Sequence, residues 1–382
     1  MYKTILLLTP VYITLFWAIV LHTDNRNQTV PRLFLGKFMF AAFLVYLSHF
    51  IYYSGFSSLY ICLDPIYQLV SLLVYPLYHI YFRLLTVDPK FSLKRHIVFI
   101  IGPILLFLFY SLGVFMIDPK DFEIWVYNHD VPSNSFYISY LKAISFFISI
   151  FSIVQILFVV VANFILIKEY GDKARHYYSD AVDSTTLRVN LLNVSMIITG
   201  VSSIVLASLG RNYFQNDSVG MLVAAIIFSC MLFLIGWLGD RQKSLNPTTD
   251  ELESNKAAIS ESENLTESQP ALIDKITQLF EEKHIFLNCK LNIMDIASEV
   301  GSNRTYISYL INQKFNQNFC SFVNQYRIRM LEEKVKSKPD MANHQLAEQC
   351  GFGSVDSMKR AVLNKTGLSL SDWKNTLLAP KL

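Results

Sequence analysis

Thr305, Ser308, Tyr309 and Asn312 stand three or four residues apart, so a helix gathers them on one face with Arg304 at its N-terminal end. Ile307, Leu310 and Ile311 fall on the other side as an apolar stripe. Farther along the chain, Ser354, Asp356, Lys359 and Arg360 take up a comparable arrangement beside Met358, Ala361 and Val362. Arginine can take guanine N7 and O6 with two donors, and Ser, Thr and Asn can meet base edges or phosphates. Two such faces in tandem point to recognition of double-stranded DNA. Each residue taken alone is equally well a solvated helix face. Arg327, Arg329, Lys334, Lys336 and Lys338 are candidates for phosphate contact on the same terms.

A second polar group lies in apolar surroundings. Asp64 and Lys142 sit at similar depth near one end of two long apolar runs, with Gln68 and Gln155 one or more turns farther in. An isolated charge in lipid is costly, so the two are expected to face inward and pair. The two read either as a structural ion pair or mouth residues reaching water, or as a ligand or signal site that also uses Gln68 and Gln155. Other chemistries find little support. His49 and His79 have no acidic partners at metalloprotease spacing, and the last apolar run has no Lys for a retinal Schiff base. Tyr75-Pro76 and Gly102-Pro103 are possible kinks but do not make the paired broken helices of a transporter. Cys62, Cys230, Cys289, Cys320 and Cys350 form no CxxC pair and read as reduced core thiols. No catalytic residue, metal or cofactor is expected.

The elements that must carry these residues follow from hydropathy. Hydrophobic residues make up 52 % of the chain and charged ones 16 %, which excludes a uniformly soluble protein. A span needs about 20 apolar residues to cross about 30 Å of hydrocarbon. Runs of that kind occupy residues 4–21, 33–54, 59–85, 96–117, 136–167, 188–210 and 218–239. They must be helices, because lipid satisfies no backbone N–H or C=O. With the N-terminus outside, 12 Lys and Arg fall in or beside inner loops and 3 on the outer side, so the positive-inside rule puts the C-terminus in the cytoplasm. The length of the first run, and the lack of a small-x-small site after it, argue against a cleaved signal peptide. The longest outer loop, Asp118–Ser135, is acidic and short.

Charge then divides the rest. Residues 1–239 carry a net +3, residues 240–270 a net −4 and residues 271–382 a net +4. The middle segment is rich in Ser, Glu, Asn and Thr without one aromatic residue, and is expected to be a disordered tether. Beyond it the pattern is helical. Asn292 is placed to cap a helix over IMDIASEV, Gly301 to make the turn, and Asn303 to cap the next helix. The same plan recurs: Ala297 and Gly301 match Ala347 and Gly351, while Asn303, Ile307, Leu310, Phe319 and Phe322 match Ser354, Met358, Ala361, Leu370 and Trp373.

These motifs identify a resemblance. Residues 271–382 resemble the DNA-binding domain of AraC/XylS-type transcription regulators. The stretch LNIMDIASEVGSNRTYISYLINQKF is similar to the family's first unit, and QLAEQCGFGSVDSMKRAVLNKTG, followed by LSLSDW, to its second. Gly351-Phe352, Ser354, Arg360 and Gly367 fall where the family signature has them, whereas Met358 and Val362 replace aromatics and Leu363-Asn364 a basic pair. The resemblance implies an all-α chain: a seven-helix transmembrane bundle over 1–239, a cytoplasmic linker over 240–270, and an AraC-type double helix-turn-helix domain over 271–382, with units at about 291–316 and 342–367. It further implies a bacterial inner-membrane regulator that binds double-stranded DNA in response to an unknown signal. A homodimer and a contact with RNA polymerase stay open. The rival expectation is a multi-span receptor or transporter with a helical tail that binds a protein partner.

Overall fold

Charge-free apolar stretches have one way to satisfy their backbone without water, and each of them is helical in the computed structural model. The structure describes residues 2–23, 29–88, 90–128, 136–179, 184–209, 218–241 and 269–379. Among these, no strand is longer than an isolated bridge. The helices of the first half are α1 (Tyr2–Thr23), α2 (Val30–Tyr53), α3 (Ser57–Thr86), α4 (Leu93–His96), α5 (Val98–Met116), α6 (Pro119–Asn128), α7 (Phe136–Tyr177), α8 (Ser184–Leu209) and α9 (Ser218–Asp240). Seven of them, all but α4 and α6, are long and apolar enough to cross a membrane, as the hydropathy predicts. The region expected as a plain outer loop holds α6, whose Phe122 and Val126 are buried against Tyr52, Tyr60 and Tyr110.

Chain contacts divide the molecule into two compact units, and the division departs from the one expected. The first unit comprises residues 1–167 and 188–246; the second comprises 247–382 together with 168–187. The reason lies in α7. It runs for 42 residues, ten past the expected end of the fifth span. At 1.5 Å per residue that is about 63 Å of helix, roughly twice the hydrocarbon thickness. The expected tether, 240–270, overlaps α9 at Asp240 and the next helix at Gln269 and Pro270, and its residues 242–268 lie outside the described residues.

Within the first unit, polar side chains pair across helices. The Tyr78 hydroxyl donates to Leu192 O at 3.0 Å, and His79 Nδ1 lies 2.8 Å from Asn163 Oδ1. Arg32 on α2 pairs with Asp240 on α9 at 2.6 Å. Small residues admit close packing: Gly236 lies against the Trp17 ring with no room for a Cβ.

The second unit is built from capped short helices. These are α10 (Gln269–Glu281), α11 (Ile293–Val300), α12 (Arg304–Phe315), α13 (Phe319–Ser337), α14 (Asn343–Gln349), α15 (Val355–Thr366) and α16 (Leu370–Leu378). Asn292 caps α11 in a reciprocal box with Asp295. Gly301 at φ +68° ends that helix and Asn303 caps α12. Gly351 at φ +78° and the Ser354 cap repeat the arrangement between α14 and α15. The helix α13 serves two cores. Its Phe319, Phe322, Val323 and Tyr326 join Ile276, Phe280, Ile296 and Ile307 in one. Its Ile328, Leu331 and Val335 join Leu346, Met358, Val362 and Trp373 in the other.

Candidate functional site

The helix α12 buries Ile307, Leu310 and Ile311, which leaves its polar residues outward. Thr305, Tyr309 and Asn312 are exposed, while Arg304 and Ser308 are half-buried. On α15 the same logic buries Met358, Ala361 and Val362 and exposes Ser354, Asp356, Lys359 and Arg360. The Ser354 hydroxyl accepts from Ser357 N at 3.0 Å, so it serves the cap. Lys359 pairs loosely with Asp356 at 3.4 Å, and Arg360 Nε donates to Asp356 O at 3.3 Å. Two polar faces with several donors are therefore presented at matching places in the repeat.

One expected phosphate contact is overturned. Arg327 is wholly buried, with Nε donating to Phe286 O at 2.8 Å and Nη2 to Asn288 O at 2.9 Å. Its guanidinium also lies over the Phe352 ring, 5.7 Å from the centroid. A buried cation needs such partners, and here it ties the two repeats together. The signal was in the sequence. Phe319, Val323, Leu331 and Val335 are spaced four apart, and Arg327 occupies the missing step of that apolar row. The remaining basic candidates lie nearer the surface: Arg329 stacks on Tyr326, Lys334 donates to Gln349, Lys336 pairs with Glu332, and Lys338 is exposed.

The expected membrane site is also redrawn. Asp64 is buried, and it accepts hydrogen bonds from the Tyr60 hydroxyl at 2.7 Å and from the Tyr110 hydroxyl. Lys142 is exposed on α7, and no ion pair joins it to Asp64 among the described residues. Tyrosine hydroxyls solvate the carboxylate where a cation was expected. Tyr60 lies one turn before Asp64 and was legible; Tyr110 comes from another helix and was not. Gln155 is half-buried on α7, and Gln68 lines a cavity of about 410 Å³ inside the bundle. Beside Gln68 that cavity is lined by Tyr46, His49, Tyr67, Tyr75 and Ser149 amid apolar side chains, and by no Asp, Glu, Lys or Arg. His49 Nε2 lies 3.2 Å from the Tyr67 hydroxyl. The four expected signal residues are therefore not one site: Gln68 alone reaches the cavity.

Between α3 and α4 the carboxylate of Asp88, 1 % exposed, meets Arg83 at 2.8 Å, His96 at 3.0 Å and also Arg95. Burial pushes this carboxyl up, but hydrogen bonds and charge from Arg83 and then Arg95 outweigh it and hold the group below its usual range. The cysteines depart from the expected core role in part. Cys320 and Cys350 are buried, whereas Cys62, Cys230 and Cys289 are exposed. Burial raises the Cys350 thiol to about 11. Among the described residues, no three His, Cys, Asp or Glu side chains come together to hold a metal ion. No family model, curated protein or solved structure matches the chain.

Proposed function

We propose that the chain is a membrane-anchored, sequence-specific DNA-binding transcription regulator of the AraC/XylS type, acting as a one-component sensor in a bacterial inner membrane. The observation that carries the reading is the pair α12 and α15. Each is a capped helix behind a glycine turn, with its apolar side in a core and its polar side outward. The buried Arg327 and the shared helix α13 hold the two repeats in one body. Two recognition helices on one rigid domain enter successive major-groove segments about 34 Å apart. Seven helices long and apolar enough to span support a membrane anchor, and the excess of Lys and Arg in alternate loops supports a cytoplasmic domain with the N-terminus outside. The bundle cavity is where the signal acts. Without a charged lining it suits a small neutral molecule with apolar bulk and a few hydrogen-bonding groups.

The test uses the full chain in lipid nanodiscs with fluorescent duplex DNA. Affinity is expected to fall steeply as salt is raised, with preferred sequences still preferred at each salt concentration. Binding no better than that of a neutral protein at low salt would sink this reading and leave the helical tail to a protein partner.

A further inference from the structure

The loop that follows α7 has a place in the second unit. Ser179, wholly buried, donates its backbone N–H to Leu291 O at 3.1 Å and its hydroxyl to the same oxygen at 2.7 Å. That hydroxyl also accepts from Arg327 Nη2 at 3.1 Å, and the Cys320 thiol donates to Ser179 O at 3.2 Å. Tyr178 forms an antiparallel bridge with Asn292, the cap of α11. Tyr177 packs on the first core, and the Arg304 guanidinium lies over its ring at 4.5 Å. His176 lines one hollow with Ser308, Tyr309 and Asn312. Tyr177 at the end of α7 and the loop residues Tyr178 and Ser179 thus engage α11, α12 and α13, and His176 borders the outward face of α12. Buried, hydrogen-bonded backbone of this kind marks a fitted interface, since such groups would otherwise lose water without compensation.

We infer that residues 176–179, the end of α7 and the start of the loop after it, are a clamp on the first helix-turn-helix repeat, which holds Arg304 and narrows access to Ser308, and which DNA must displace. This rests on the DNA-binding reading above. The asymmetry between the repeats supports it. The face of α15 is exposed throughout, while the N-terminal half of α12 is the part held, with Arg304 and Ser308 both half-buried. The Tyr177 ring covers one face of the Arg304 guanidinium and restricts how it turns toward a base or phosphate. The loop leaves from α7, the helix that supplies Ser149, Ser152 and Ile156 to the cavity. The clamp is therefore placed at the end of an element that a ligand would touch.

The clamp covers Cys320, so alkylation of that thiol reports its release, and Cys350 in the second core reports unfolding. Ser179→Lys sets a cation beside the Arg327 guanidinium and is the releasing variant; Tyr177→Ala is the milder one. In the full chain in nanodiscs, peptide-resolved maleimide labelling of Cys320 is expected to rise at least about tenfold in Ser179→Lys, with Cys350 unchanged. Affinity for a random-sequence duplex library is expected to tighten about fivefold or more, an ordinary coupling. If Cys320 labels no faster in either variant, the loop is not its cover and the clamp is overturned. If Cys320 is released while DNA affinity stays that of the parent chain, the loop docks without masking and the inference fails alone. If no form of the chain binds DNA, the functional reading fails and the masking with it.

Discussion

Arginines at three positions of one small domain have three different surroundings. Arg327 is buried among carbonyl oxygens, Arg304 is stacked on a tyrosine, and Arg360 lies exposed on the outward face of α15. In the proposed reading the last is the one of the three that a base would reach without rearrangement of the loop after α7. Arg360→Ala is expected to cost about 1–3 kcal/mol at a single base position, measured across a library of duplexes. A uniform loss over all sequences would make it a phosphate contact, and no loss would make it a solvated face residue. In the first unit, Asp88 is held below its usual range by Arg83 and Arg95 against the opposing effect of burial. Its folded value lies under the unfolded one, about 3.9. The stabilisation is therefore complete above that value and is lost as pH falls through the folded one. Acid unfolding of the chain in nanodiscs should show this limb, and Asp88→Asn should flatten it. An acid limb identical in the two proteins would remove Asp88 from the account.

Elements that look alike in sequence differ in what surrounds them. Gly301 and Gly351 are matched turn glycines, both with positive φ. A Cβ on Gly301 meets open space, whereas on Gly351 it would lie 2.6 Å from Phe286 O and 2.7 Å from Leu287 Cα. Left-handed backbone alone costs a side chain about 1–2 kcal/mol. Crowding against backbone, which cannot swing aside, adds about 1–3 kcal/mol. Chemical denaturation of the second unit, followed by Cys350 exposure, should show Gly301→Ala losing about 1 kcal/mol and Gly351→Ala about 3 kcal/mol or more. Equal losses would mean that the contact between the repeats through Gly351 yields. In the proposed reading that contact helps set how α12 and α15 stand toward one another, and so which DNA two recognition helices would fit.

For the whole molecule, the sidedness inferred from loop charge has a direct readout. Cys289 is exposed and lies in the second unit. In intact spheroplasts a membrane-impermeant maleimide should leave it unlabelled, and in inverted vesicles it should label at once. Labelling from outside in intact cells would reverse the orientation and remove the domain from DNA. The same scale changes the view of signalling. Residues 242–268 of the expected tether lie outside the described residues. In the proposed reading the end of α7 is the route for a signal, because this helix runs from the first unit into residues 168–187 of the second.

Patterns that repeat along the chain were readable before any tertiary contact was known. Seven apolar runs had to be helices because hydrocarbon offers a backbone no partner. The caps Asn292, Asn303 and Ser354 were readable because capping joins neighbours two or three residues apart. The outward residues of α12 and α15 followed from helical period, since a stripe of three apolar side chains leaves only one face for the polar ones. Contacts between residues far apart in sequence were decided by tertiary structure alone. Asp64 is solvated by tyrosines from two helices and not by Lys142, and Arg327 reaches Ser179 across 148 residues. Hydrophobic period says which face of a helix turns inward but not what it meets there. The partner of a buried charge is chosen by packing and hydrogen-bond geometry, which no local spacing encodes.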